Sequence, residues 1–189
     1  MTMAAWLRSL PSLTGTAPLP DAAPPPDAPE PLFERWIRAA VDAGVAEAHG
    51  ATLATVDADG IPDARVLILK DVGPRGWAFA GPRDSAKAEQ LAAQSAAALT
   101  FWWPPVLRSV RVRGRVMEAS AEESAADLAA RSAAARDGIA PGGWVLWRLV
   151  PDRVEFWEGS PDRRHRRTIY HRTAGGWQVS TPTTESERP

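Results

Sequence analysis

The sequence predicts a mainly antiparallel β protein, a barrel with helices at its periphery. About eight short stretches alternate apolar with polar residues, which is the pattern of half-buried strands. Tight turns join some of them, such as Asp59-Gly60 between ATLATV and ARVLILK. Crossover helices are too few for a doubly wound parallel sheet, so a closed antiparallel sheet accounts better for the pattern.

The chain of 189 residues is long enough for one domain with its own core. Residues 1–30 are rich in proline and alanine and are expected to form an extended arm. Residues 31–181 carry the periodic patterns of the barrel domain, and residues 182–189 are expected to form a polar tail.

The first half of the domain begins with an amphipathic helix, because apolar residues recur at helical spacing from Phe33 to Val45. A strand, an Asp-Gly turn and a second strand follow over 51–70, and GWAFAG at 76–81 predicts a third strand. A helix is expected in RDSAKAEQLAAQ, with Asp84 or Ser85 as its N-cap.

The second half continues with the strands AALTFWW and LRSVRVRGRVMEA; the latter alternates valine with arginine, which predicts one buried and one wet face. Ser120 and Glu123 form a capping-box pair, so a helix is expected over SAEESAADLAARSAA. After the break DGIAPGG, four short strands are expected in WVLWRLV, RVEFWEG, RRTIYHR and GWQVST.

Composition excludes several classes of protein. The net charge of −1 provides no global attraction to nucleic acid, and the chain has no cysteine to form disulfides or thiolate metal sites. The three histidines show no zinc-ligand spacing, so no metal is expected. Without a signal-peptide pattern or an apolar run of about 20 residues, we expect a cytoplasmic protein that does not enter membranes.

The candidate functional residues are cations at the ends of strands and helices. Arg65 and Lys70 flank the apolar run VLIL, and Ser85 and Lys87 lie in the first turn of a predicted helix. Such a turn presents free backbone N–H groups and a positive dipole end, which together favour phosphate.

A dense group of cations at 163–167 follows Trp157. Nucleic acid, a phosphorylated ligand and a solvated hairpin are the possible explanations, and the balanced net charge disfavours the first. A ligand whose phosphate is held by Arg65, Ser85 and Lys87 and whose aromatic part lies near Trp157 would account for these cations.

Four segments, taken in order, resemble the pyridoxamine 5′-phosphate oxidases, which are FMN-binding split β-barrels. They are ATLATVDADGIPDARVLILK, DSAKAEQL, LTFWWPPVLRSVRVRGRV and VEFWEGSPDRRHRR, and the resemblance runs from about Leu32 to Trp177. It implies a flavoprotein oxidoreductase that takes part in pyridoxal phosphate biosynthesis. A homodimer is implied because the flavin of this family lies between two subunits.

The resemblance also implies residue roles, with Arg65 and Lys87 binding the FMN phosphate. The implied FMN contacts are Arg65, Val66, Leu67, Ile68, Leu69, Lys70, Ser85, Lys87, Ser109, Trp157 and Arg167. Lys70, Arg163 and His165 are implied to hold the phosphorylated pyridoxine substrate, with Arg163 and His165 as the catalytic pair. The chemistry that the resemblance implies is hydride transfer from the substrate to flavin N5, with reoxidation of the flavin by dioxygen.

The sequence departs from the family pattern at the substrate side. The segment between Ala133 and Trp144 is short, and it lacks the family's Gln-Ser flavin pair. Three functions therefore stay open: oxidation of pyridoxamine or pyridoxine 5′-phosphate, oxidation of a related small heteroaromatic in secondary metabolism of the phenazine type, and flavin binding or handling without vitamin B6 turnover.

Overall fold

The computed structural model describes residues 1–17 and 24–182. The helices are α1 (Met3–Ser9), α2 (Pro29–Asp42), α3 (Ala86–Ala93), α4 (Ala121–Ala129) and α5 (Ala133–Arg136), with a 3₁₀ turn at Pro104–Val106. The strands are β1 (Gly50–Val56), β2 (Pro62–Ile68), β3 (Asp71–Gly73), β4 (Gly76–Pro82), β5 (Ala96–Trp103), β6 (Arg108–Glu118), β7 (Trp144–Glu158), β8 (Arg166–Thr173) and β9 (Gly176–Ser180).

The nine strands form one antiparallel sheet in the order β2-β1-β5-β6-β7-β4-β3, with β8 paired to β7 and β9 paired to β8. Just beyond β2, the backbone N–H of Lys70 donates to the carbonyl of Ala78 in β4 at 2.8 Å. This bond joins the segment after β2, the first strand of the order, to β4 near the opposite edge of the sheet, so the sheet curls. The predicted class, a mainly antiparallel split barrel with peripheral helices, is confirmed.

Strand β7 is the longest element, and it corrects one prediction. The two strands expected at 144–150 and 153–159 are a single strand of 15 residues, because the register with β6 shifts between Arg113 and Gly114 and absorbs the proline at 151 as a bulge. A Cβ on Gly114 would lie 2.1 Å from the carbonyl oxygen of Val150, so only glycine fits opposite the bulge.

Helix α2 covers one end of the barrel and anchors its aromatic core. It begins at Pro29, a favourable first-turn residue, and buries Phe33 and Trp36. The ring of Phe33 lies 4.4 Å from that of Trp77 and 5.0 Å from that of Phe101, measured between centroids. Edge-on contacts of this kind stabilise a core beyond the apolar area that they bury.

Other predictions are confirmed in outline. Val110 and Val112 are fully buried, whereas Arg111, Arg113 and Arg115 point to solvent.

The capping box is present in α4, since the Ser120 hydroxyl accepts a bond from the N–H of Glu123 at 3.1 Å. The predicted helix stops at Ala129, and α5 forms a separate turn.

The terminal segments are only partly described. Helix α1 lies in the predicted arm, and the sequence pattern did not indicate it. The rest of the arm at 18–23 and the tail from 183 to 189 lie outside the described residues. Within the described part of the chain, no helix is long and apolar enough to cross a membrane.

A buried ion pair links β6 to the end of β7. The Arg108 guanidinium donates two bonds to one carboxylate oxygen of Glu158, at 2.9 and 3.0 Å, and both side chains are buried. Arg108 also lies over the ring of Trp36 in α2, 4.3 Å from its centroid, and Arg166 of β8 pairs with Glu158 from the other side. This network fixes the helix against two strands.

Glu158→Ala should therefore destabilise the fold by about 3 kcal/mol, since it leaves a buried guanidinium without its main partner. Urea unfolding with linear extrapolation measures the free energy. Glu34→Ala is the control, because Glu34 pairs with Arg38 on an exposed helix face and its loss should cost less than ~0.5 kcal/mol. Equal losses in the two variants would contradict a structural role for the buried pair.

Candidate functional site

A cleft lies at the seam where β2 approaches β4, and we call it the seam cleft. It encloses about 270 Å³. It is lined by Arg65, Val66, Leu67, Ile68, Lys70, Ala80, Gly81, Pro82, Lys87, Arg131 and Trp144. The closure of the barrel thus brings together residues from β2, β4, α3, the end of α4 and the start of β7.

Arg65 projects from β2 and is held by three neighbours. Its guanidinium bonds to the Thr55 hydroxyl, to the Gln90 amide oxygen at 2.8 Å and to the Asp63 carboxylate at 2.7 Å. Among the described bonds, these three use three of the five guanidinium N–H groups, and the Nε–H is not one of them. A fixed guanidinium at the edge of a cleft is suited to an anionic group.

Lys87 lies in the first turn of α3, and its ammonium donates to the Ser85 hydroxyl at 3.0 Å. Gly81 leaves the space for it, because a Cβ there would stand 2.3 Å from Nζ. Burial, and next the nearby Arg65 guanidinium, lower the pKa of the Lys87 ammonium below its ordinary value. Two cations are thus held close together beside a helix N-terminus, an arrangement that an anion would stabilise.

The other end of the seam cleft holds a different set of groups. Lys70 Nζ lies 3.8 Å from a carboxylate oxygen of Asp127, whose second oxygen accepts a bond from the Trp144 indole N–H at 2.8 Å. The Arg131 guanidinium lies over the ring of Trp144, 4.4 Å from its centroid. This end is therefore cationic and aromatic, with one carboxylate behind it.

A second cleft lies on the outer face of the sheet, and we call it the sheet-face cleft. It encloses about 330 Å³ and is lined by Thr100, Trp102, Ser109, Arg111, Glu155 and Trp157. Ser109 and Trp157 face each other in the register of β6 and β7. The lining shares no residue with the seam cleft, and β1 and β5 stand between β2 and β6. Strand β7 contributes to both clefts from opposite ends, with Trp144 at the seam cleft and Trp157 at the sheet-face cleft, 13 residues or roughly 40 Å of extended strand apart.

The cationic segment after Trp157 folds back onto this face. The ring of His165 lies 4.9 Å from that of Trp157, and its Nδ1 accepts a bond from the Ser160 N–H at 3.1 Å. Arg167 pairs with Trp157 in the ladder, and its Nε lies 3.9 Å from Glu155. Arg163 is exposed and adopts a positive φ of 66° in the turn.

The predicted site residues thus fall into two groups. The seam cleft gathers Arg65, Val66, Leu67, Ile68, Lys70 and Lys87, with Ser85 beside it, and the sheet face gathers Ser109, Trp157, His165 and Arg167. The structure does not bring Leu69 to the seam cleft, since its side chain is buried in the core. The functional role of each residue stays a prediction.

Sequence reasoning missed five residues that line the seam cleft, Ala80, Gly81, Pro82, Arg131 and Trp144, and also Asp127, which lies behind the lining and contacts Lys70 and Trp144. Asp127 and Arg131 lie in or after a helix that the sequence placed correctly, so their position on the chain was predicted. Nothing in the helical pattern indicated that this side of the helix faces Lys70 across the barrel.

The amino-acid sequence of the chain is similar to those of known proteins. Residues 37–158 match the family model described as pyridoxamine 5′-phosphate oxidase, and residues 144–181 match the pyridoxine 5′-phosphate oxidase C-terminal dimerisation region. Proteins named pyridoxine/pyridoxamine 5′-phosphate oxidase from Burkholderia cenocepacia (strain HI2424) and Burkholderia multivorans (strain ATCC 17616 / 249) are 37% and 38% identical. Each alignment spans 85% of this chain and 89% of the relative.

Solved structures agree with this fold. PhzG from Burkholderia lata 383, solved in complex with tetrahydrophenazine-1-carboxylic acid, superimposes with a TM-score of 0.81 at 25% identity, covering 89% of this chain and all of that one. A pyridoxamine 5′-phosphate oxidase-related, FMN binding protein from Nostoc punctiforme PCC 73102 superimposes with a TM-score of 0.61 at 21% identity, covering 83% and 97% of the two chains, which shows the fold alone.

The fold and the clefts define a split-barrel protein whose seam brings together Arg65 and Lys87. The family match over 37–158 and the identity to whole relatives then identify it more closely: the chain belongs to the pyridoxamine 5′-phosphate oxidase family. Its relatives are oxidases, and the expected resemblance is confirmed.

The closeness of Arg65 and Lys87 gives a prediction about titration. Arg65→Gln should raise the pKa of Lys87 toward its ordinary value, because removing a positive neighbour favours the protonated ammonium. NMR of ¹³C-dimethylated protein can follow it, since Lys70 and Lys87 are the two lysines of the chain. Arg83→Gln is the control, because Arg83 pairs with Glu118 instead. An unchanged Lys87 pKa in Arg65→Gln would contradict the coupling.

Proposed function

We propose that the chain is an FMN-dependent oxidase that acts on a small heteroaromatic molecule. The observation that carries this proposal is the seam cleft, where two cations at a helix N-terminus stand at one end of an extended strand. Family membership supports the same reading, since the relatives are named as oxidases of this kind.

The donors at the Arg65 end fit a phosphate monoester. Arg65 supplies a guanidinium and Lys87 an ammonium, and Ser85 at the N-cap of α3 positions that ammonium, since its hydroxyl donates to the Pro82 carbonyl at 2.7 Å and accepts from Lys87. Burial and, second to it, repulsion from Arg65 lower the pKa of Lys87, and a bound dianion would favour the charged ammonium against both effects. Because Gly81 has no side chain, Lys87 can reach into the cleft, so the position of this ammonium depends on that glycine.

Beyond this end, Val66, Leu67 and Ile68 line the cleft along β2. An extended chain from Arg65 to Lys70 spans roughly 16 Å, enough for an elongated ligand whose phosphate lies at one end and whose ring lies at the other. The strand therefore provides a flat, partly apolar surface against which a flavin ring can lie.

A second copy of the chain would complete the site. Ser109 and Trp157 line the sheet-face cleft, with Arg167 beside Trp157 in the ladder, whereas Arg65 and Lys87 line the seam cleft, so within one chain the two groups belong to different clefts. In a homodimer, the sheet-face cleft of one copy would close over the seam cleft of the other. The match of residues 144–181 to a dimerisation region supports this assembly.

Arg65 and Lys87 would hold the phosphate of FMN, and the flavin would supply the hydride acceptance and the oxygen-dependent reoxidation that an oxidase needs. The protein supplies binding and orientation. Nδ1 of His165 accepts the Ser160 N–H, which holds the imidazole in the turn beside Trp157. Arg163 stands in the same turn, exposed and able to reach an anionic group.

Two substrate classes have support. The names of the relatives favour pyridoxine or pyridoxamine 5′-phosphate, and the neighbour solved with tetrahydrophenazine-1-carboxylic acid favours a ring carboxylate. Flavin binding without vitamin B6 turnover is the remaining candidate from another class. Its support is the short segment between Ala133 and Trp144, where the expected flavin pair is missing.

Lys87→Ala should weaken FMN binding more than riboflavin binding. A charge-assisted bond to phosphate is worth about 1.5–3 kcal/mol, and riboflavin has no phosphate to lose. Fluorescence quenching on titration of the apo-protein measures both affinities. Arg164→Ala is the control, since Arg164 is exposed and lines neither cleft.

Equal losses for the two ligands would show that Lys87 has a structural role. If wild-type protein binds no FMN at ~100 μM, the proposed function fails as a whole, because even about 5.5 kcal/mol of binding free energy is then absent.

Anaerobic mixing of flavin-loaded protein with pyridoxamine 5′-phosphate tests the chemistry directly. Bleaching of the visible flavin band reports hydride transfer without the oxygen step. We expect slow or no bleaching with this substrate, because the chain lacks some of the groups that would hold it near the flavin. Fast bleaching at micromolar substrate would establish a vitamin B6 oxidase. Arg163→Ala should then slow it strongly and leave the flavin bound.

A further inference from the structure

We propose that Asp127 sets the substrate preference of the seam cleft, by balancing the charge of Lys70 and orienting Trp144 so that a ring with a single carboxylate binds better than a phosphate ester. This inference rests on the proposed function, since it assumes that the Lys70 end of the cleft receives the substrate ring.

Asp127 is a fixed charge close to the cleft. Only 14% of its side chain is exposed, and it bridges two lining residues, Lys70 at 3.8 Å and the Trp144 indole N–H at 2.8 Å. A carboxylate so held is poorly screened by water, so its field reaches the ligand that those residues contact. Asp127 does not line the cleft itself, and it acts through Lys70 and Trp144 as a positioning residue.

The remaining cation at this end is already engaged with an aromatic ring. Arg131 lies over Trp144 at 4.4 Å, and its Nε donates to the carbonyl of Ala135 at 3.4 Å. The Trp144 ring is anchored by Asp127 at its indole nitrogen. Arg131 and Trp144 together form a flat, weakly hydrated surface, which suits a planar ring better than a compact, strongly hydrated phosphate.

The two ends of the cleft therefore differ in charge. At the Arg65 end, the neighbouring carboxylate of Asp63 is about half exposed and is screened by solvent. At the Lys70 end, Lys70 and Arg131 contribute two positive charges, and the largely buried Asp127 removes one. A substrate with one negative charge matches the remaining charge of this end, whereas a dianionic phosphate adds repulsion from Asp127 without a third cation to offset it.

The experiment measures binding to flavin-loaded protein by the change in the flavin spectrum and by calorimetry. The probes are phenazine-1-carboxylate and pyridoxal 5′-phosphate. Wild-type protein should bind the carboxylate at least about tenfold more tightly, the order of effect that one poorly screened charge produces nearby. Asp127→Asn should strengthen pyridoxal 5′-phosphate binding by about tenfold and leave FMN affinity unchanged.

Two further variants isolate the charge. Asp127→Glu should keep the wild-type preference, because it keeps the carboxylate. Asp152→Asn makes the same chemical change at an exposed aspartate paired with Arg113, and it should leave the affinity for both ligands unchanged.

The proposal is overturned if Asp127→Asn changes the affinities for both ligands alike. It is also overturned if wild-type protein binds pyridoxal 5′-phosphate more tightly than phenazine-1-carboxylate. The second result does not depend on the folding of the variant. Failure of the proposed function is seen separately, as the absence of FMN binding in the wild type.

Discussion

The structure depends on one continuous strand that changes partners along its length. The first part of β7 pairs with β4 and its last part pairs with β8, while β6 runs beside nearly all of it. The bulge opposite Gly114 permits this change, because it bends the strand without ending the ladder. Strand β7 thereby carries Trp144 to the seam cleft at one end and Trp157 to the sheet-face cleft at the other.

The buried pair of Arg108 and Glu158 stabilises the far end of that strand. Arg108 connects β6 to Trp36 of α2, and Glu158 also receives Arg166 of β8. Removing one member of the network would leave a buried charge without its ion-pair partner, so the network stabilises a single arrangement of these side chains. The turn that bears Arg163 and His165 follows directly, and its position is therefore set by charge as well as by the ladder.

The seam cleft shows how backbone closure and charge combine. The bond from Lys70 to Ala78 closes β2 onto β4, and Lys87 lies partly buried near Arg65, so that burial first and the Arg65 charge second lower the pKa of that lysine. Such a pKa shift is common where a protein prepares a site for an anion. In the proposed homodimer, the aromatic sheet face of the second copy would cover this cleft and exclude water from the reacting ring.

The sequence by itself determined the antiparallel class, most strands and the start of α4, and it singled out Arg65, Lys70 and Lys87, which the structure brings to one cleft, because alternation, capping pairs and helix starts are local patterns. It failed where contacts are distant in the chain. The continuity of β7 through a proline depends on Gly114 in another strand. Asp127 meets Lys70 only because the barrel closes, and Trp157 lines a different cleft from Arg65 because it lies at the opposite end of β7 from Trp144. Tertiary structure alone decided which charges face each other, since Coulomb and packing terms depend on distance in space, which local sequence does not encode.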